Sequence, residues 1–134
     1  MRLPLATFLA LAALIACTPA PEGVTISEPR LNPPLGGRDV GAAYMTFTNT
    51  GAPTAIVAVT SPEADFVELH ESTRTNGIAR MDRRDTIPLP PGDTVLQQGG
   101  LHLMIFGLTA EEAADGVVLD IQLDNGEVLN VVAD

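Results

Sequence analysis

The 134-residue chain predicts an all-β domain, an antiparallel sandwich or barrel, on three observations. From about residue 38, apolar residues recur with a period of two, as half-buried strands require, and not with the 3.6 of a helix. The alternating runs are short and favour β-branched and aromatic residues. Turn dipeptides punctuate them at close intervals: Asn76-Gly77, Pro91-Gly92, Gly99-Gly100 and Asn125-Gly126.

Taken in order, Val24-Thr25-Ile26-Ser27 is a candidate first edge strand, near 24–28. Tyr44–Asn49 alternates and runs into the turn Asn49-Thr50-Gly51, after which Ala55–Thr60 is the next strand. Further strands are expected at Phe66–Glu71, Ile78–Arg83, Thr94–Gln97, Leu101–Phe106, Val117–Leu123 and Val128–Val132. Asn125-Gly126 is expected as a two-residue hairpin turn. The one helical element is a turn at Thr109–Ala114, where Thr109 caps and Glu112 completes a capping box. Seven to nine short strands of this kind make a sandwich or barrel, and these cues leave the strand order open.

The N-terminus speaks for export. Met1-Arg2 supplies one positive charge, and Leu3–Ala16 is apolar apart from Pro4 and Thr7. Such a run is too short to span a bilayer as a stable helix and reads as a secretory h-region. It ends in Leu14-Ile15-Ala16-Cys17, which resembles a bacterial lipobox, with the chain's one cysteine where lipidation requires it. Acyl chains buried at about 0.8 kcal/mol per CH2 would hold the domain on a membrane without a spanning helix. The alternative is an ordinary cleaved signal that leaves a soluble periplasmic protein. The expected organisation is a lipoprotein signal peptide at 1–16, a lipidated Cys17 with a Pro/Gly-rich tether at 17–37, and a β-sandwich domain at 38–134. An acylated Cys17 leaves no thiol for a disulfide or a thiolate metal site. Removing residues 1–16 from the 134 leaves 118, enough for one compact domain. The formal charge of −10 becomes one unit more negative once Arg2 is removed, which argues against nucleic acid or an anionic lipid surface as a partner.

Four side chains offer a soft donor set. His70 and His102 are the chain's two histidines, and Met81 and Met104 are two of its four methionines. Imidazole nitrogen with thioether sulfur suits Cu(I) and offers little to Mg, Ca or Mn, which prefer oxygen. His102 and Met104 lie two apart in one strand, so they share a face, while Leu101, Leu103 and Ile105 turn to the core. His70 and Met81 flank the Asn76-Gly77 turn at a spacing that suits a hairpin, so three neighbouring strands would supply four donors. Each has a plainer reading: a methionine in a β-protein usually fills the core, as Met45 is expected to do beside Phe47, and a lone histidine is more often a satisfied polar residue. The acids Glu68, Glu71, Asp82 and Asp85 are read as a solvated rim. Blue-copper electron transfer needs a thiolate, structural zinc prefers Cys and His, and no nucleophile motif appears, so no enzymatic role is expected.

Three segments carry a resemblance: Ala43-Tyr44-Met45-Thr46-Phe47-Thr48-Asn49-Thr50-Gly51, Val67-Glu68-Leu69-His70-Glu71 and Gly99-Gly100-Leu101-His102-Leu103-Met104. From about residue 24 onward the chain is similar to the periplasmic copper chaperones known as PCuAC. Their pattern is His or Met, ten residues, Met, about twenty-one residues, His, one residue, Met. Here the second interval is one residue shorter, a change readily absorbed in the loop Pro88–Gly100. The resemblance implies a cupredoxin-like antiparallel Greek-key β-sandwich with His70, Met81, His102 and Met104 as Cu(I) ligands. It further implies copper delivery to cytochrome c oxidase, with a Sco-type thiol protein or an oxidase subunit as acceptor. Some members add a His/Met-rich tail for Cu(II). None precedes Asp134, so a second copper site is not expected. Protonation of either imidazole, near pH ~6.5 for an unperturbed histidine, should weaken binding. The rival reading is a metal-free envelope lipoprotein that acts as a binding or scaffold module.

Overall fold

The computed structural model describes residues 22–134; the signal peptide at 1–16, Cys17 and residues 18–21 of the expected tether lie outside the described residues. Ten strands form two antiparallel sheets: β1 (Val24–Asn32), β2 (Val40–Asn49), β3 (Thr54–Thr60), β4 (Phe66–Thr75), β5 (Ile78–Arg84), β6 (Ile87–Leu89), β7 (Gly92–Leu96), β8 (Leu101–Phe106), β9 (Val117–Leu123) and β10 (Val128–Ala133). The larger sheet runs β1-β2-β8-β4-β5, and the smaller runs β10-β9-β3-β6. β2 has one flank on β1. Its other flank pairs with β8 through Val40–Ala43 and then with β7 through Met45–Asn49. A strand from late in the chain thus lies between β2 and β4, a Greek-key arrangement.

The alternation expected from sequence is what closes the sandwich. Along β2 and β9 every second residue is buried, and Met45, Phe47, Leu103, Ile105, Leu119 and Ile121 fill the space between the sheets. Each such side chain contributes about 1.5–3 kcal/mol by leaving water. An exposed ion pair such as Arg84–Glu71 contributes about 0–1 kcal/mol. Apolar packing therefore fixes the scaffold, and surface charge decorates it.

Several elements depart from the sequence reading, each for a local reason. β1 runs on past 28 to Asn32, through a bulge where Glu28 has φ +52° and the register shifts between Ser27 and Arg30. β6 was not expected: it is three residues with Pro88 in the middle, tolerated because β6 is a sheet edge that pairs with β3 on one side. The Asn125-Gly126 connection is longer than two residues. Val128 pairs Gln122, Gly126 takes φ +87°, and Asn125 Oδ1 accepts the Glu127 N–H at 2.9 Å. Asn76-Gly77 is instead the two-residue turn, with Thr75 opposite Ile78 and both central residues at positive φ. The turn after β8 is a short 3-10 helix at Glu112–Asp115. Its capping box is present: Glu112 N–H donates to Thr109 Oγ1 (3.2 Å), and Thr109 N–H donates to the Glu112 carboxylate (2.9 Å). Those bonds hold the Glu112 carboxyl below its ordinary value, the Thr109 backbone N–H being the larger cause. Among the described residues no helix is long and apolar enough to cross a membrane.

Candidate metal centre

The register places His70, Met81, His102 and Met104 on three neighbouring strands of the larger sheet. His70 on β4 stands directly opposite His102 on β8, their ring centroids 5.8 Å apart. Met104 stands opposite Glu68, two residues from His70. Met81 on β5 stands opposite Ser72, two residues from His70 on the other side. Directly paired residues point the same way, and so do residues two apart, so all four side chains lie on one face. It is the outer face, because Leu103 and Ile105 occupy the alternate positions of β8 in the core. Met81, His102 and Met104 line a cavity of about 400 Å³, together with Ala42, Tyr44 and Arg74.

The two imidazoles are held differently. His102 is buried, 3% exposed, and its Nδ1 lies 2.9 Å from the Gly100 carbonyl oxygen. A carbonyl only accepts, so Nδ1 carries the proton and neutral His102 keeps its lone pair on Nε2. Gly100 is fixed in turn: its carbonyl accepts the Ser72 N–H (2.9 Å), and its own N–H donates to Gln97 O (3.0 Å). His70 has a side chain 13% exposed, with Nε2 2.7 Å from Glu68 Oε2. Its Nδ1 is buried and meets no hydrogen-bond partner among the described residues. Phe106, stacked on Phe66, lies 6.4 Å from the His70 ring, and Tyr44 lies 6.3 Å from that of His102.

Met81 is the contrast. It is 54% exposed on β5, a free sheet edge on which every residue is exposed. Arg80, Asp82, Arg83 and Arg84 line that edge, charges of the kind that discourage stray strand pairing. Met45 is buried beside Phe47 in the core.

Glu68 does not belong to a solvated rim. Beyond its contact with His70, its other oxygen lies 3.8 Å from Arg83 Nε. Its spacing of two from His70 already put both on one face, but nothing in the sequence distinguished it from Glu71, whose carboxylate binds Arg84 in the open. Tyr44 and the Gly100 carbonyl likewise carried no sequence signal as neighbours of a donor. Among the described residues no three His, Cys, Asp or Glu side chains gather as a harder metal site.

This sheet order is that of a cupredoxin-like antiparallel sandwich, the fold that PCuAC domains share. The copper-bound PCuAC domain from PmoF2 matches with a TM-score of 0.68 at 21% identity, over 85% of this chain and 93% of that one. The apo PCuAC domain from PmoF1 matches with a TM-score of 0.67 at 18% identity, over 85% and 94%. At such identities the likeness is one of fold. Residues 24–134 match the family described as "Putative lipoprotein LpqE-like", and the chain belongs to that LpqE-like family. "Putative lipoprotein Lxx21020" of Leifsonia xyli subsp. xyli (strain CTCB07) is 33% identical over 109 residues, 78% of this chain; the chain spans 64% of that relative's length.

Proposed function

We propose that this protein is a Cu(I)-binding metallochaperone on the exported side of a bacterial envelope, lipid-anchored through Cys17. His70, Met81, His102 and Met104 are its ligands. The observation that carries this reading is the shared outer face of two imidazoles and two thioethers on β4, β5 and β8. Support also comes from the copper-bound domain among the similar folds and from the lipoprotein names of the family and its relative. Neutral imidazoles and thioethers add no charge, so the set favours Cu(I) over Cu(II).

Release proceeds by ligand exchange. Met81 is the exposed donor on a free edge, so it detaches first and an incoming thiolate takes its place, with the histidines the last to let go. The acceptor is a thiol-bearing Sco-type protein or a cytochrome c oxidase subunit, on the resemblance drawn from the sequence. The role is binding and transfer, without catalysis.

The test is Cu(I) stoichiometry by competition against a chromogenic chelator, using the chain without residues 1–17. One ion per chain is expected, with sharply weaker binding in Met81→Leu and Met104→Leu. Folded variants that hold copper as the parent does would reject this ligand set and favour the metal-free envelope module.

A further inference from the structure

Resting on the copper reading, we propose that Glu68 is a positioning residue: it fixes the tautomer of His70 so that Nδ1, and not Nε2, is the nitrogen offered to the ion. Glu68 and His70 lie two apart on β4 and share the outer face. The His70 Nε2 to Glu68 Oε2 distance is 2.7 Å, and a carboxylate only accepts, so Nε2 bears the hydrogen. The remaining lone pair is on Nδ1, which is buried without a hydrogen-bond partner. A buried acceptor left unpaired is disfavoured, and a soft cation supplies what is missing there. Arg83 stands opposite His70 in the β4–β5 register, with Nε 3.8 Å from the second Glu68 oxygen. Its guanidinium offsets the carboxylate charge, so Glu68 can orient the ring without turning a neutral donor set into an anionic one that would favour Cu(II).

His102 is set the opposite way, with its proton on Nδ1 toward Gly100 and Nε2 free. The two rings of one site thus present different nitrogens. Residues that orient a ligating histidine typically contribute ~10–100-fold to metal affinity.

The test reads the tautomers directly, by two-bond 15N–1H correlation on the 15N-labelled, metal-free protein, beside Cu(I) affinity. The wild type should show His70 protonated on Nε2 and His102 on Nδ1. Glu68→Gln keeps an oxygen acceptor, so it should retain the His70 tautomer and lose little affinity. Glu68→Leu should lose the Nε2–H preference and bind Cu(I) ~10–100-fold more weakly. A merely structural carboxylate would lower stability and leave the tautomer unchanged. A wild-type His70 protonated on Nδ1, or a Glu68→Leu protein with parental affinity, overturns the proposal. The first of these readouts stands even if Glu68→Leu does not fold. Wild-type protein that binds no Cu(I) fails the copper reading instead, and the metal-free tautomer measurement tells the two failures apart.

Discussion

β8 and β5 bring His102 and Met104 on one side and Met81 on the other to the same cavity, from opposite mechanical situations. β8 is central, flanked by β2 and β4, and its inward residues Leu103 and Ile105 are fully buried. His102 therefore stands on a strand that cannot shift without opening the core. β5 is an edge with every residue exposed, and Met81 on it is held by one neighbouring strand and a two-residue turn. One side of the site is as rigid as the fold; the other can move at the cost of a hairpin. The proposed role, to hold an ion and then surrender it, would use that asymmetry, since local opening draws on regions with few buried contacts.

The comparison can be broken by experiment. The largest effect is expected at Leu103→Ala, which empties the core directly beneath His102 and Met104. It should lower stability by about 2–5 kcal/mol in urea unfolding and loosen the site as a consequence. His102→Ala should come next, destabilising by about 0.5–3 kcal/mol and abolishing tight Cu(I) binding together. On the hairpin the two readouts should separate. Gly77→Val forces a β-branched side chain to φ +79° in the turn, so amide exchange in β5 should rise and Cu(I) affinity fall while the global unfolding midpoint moves little. Met81→Leu should change stability by less than about 0.5 kcal/mol. A global loss of stability on Gly77→Val or Met81→Leu would show that the hairpin is not an independent edge.

The smallest effect concerns the turn that follows β8. The Glu112 carboxyl is lowered in the folded state by the Thr109 N–H, so its contribution is present above the ordinary value of 4.5 and lost as pH falls through the lowered one. Acid titration of stability should show a shallow step there that Glu112→Gln removes.

Legibility from the sequence followed the same division. Leu101–Phe106 and Val117–Leu123 are read to the residue, because strands buried on one face must alternate. β4 extends four residues beyond Glu71, through Ser72-Thr73-Arg74-Thr75, where no buried face imposes a pattern. Ile87-Pro88-Leu89 hid as a strand behind its proline, and the Glu28 bulge broke the period of β1. At the site, the soft donor types and the shared face of His102 and Met104 were legible from spacing. The proximity of Met81 followed from Asn76-Gly77. The orientation of each imidazole was not legible, because it depends on the Gly100 carbonyl and the Glu68 carboxylate. Those are contacts made across and along strands that no residue type announces.

The shared flank of β2 has a consequence for how such a cavity is tolerated at all. β8 and β7 both claim that flank, and they part between Ala43 and Met45, so the sheet forks beside Tyr44. A fork ordinarily strands amides and carbonyls. Here the hinge of the fork closes on itself, with Gln97 N–H on Leu101 O, Gly100 N–H on Gln97 O, and Ser72 N–H on Gly100 O. The notch is thus a vacancy in side-chain volume rimmed by these three backbone hydrogen bonds, and the His102 ring can occupy its wall without disturbing either arm.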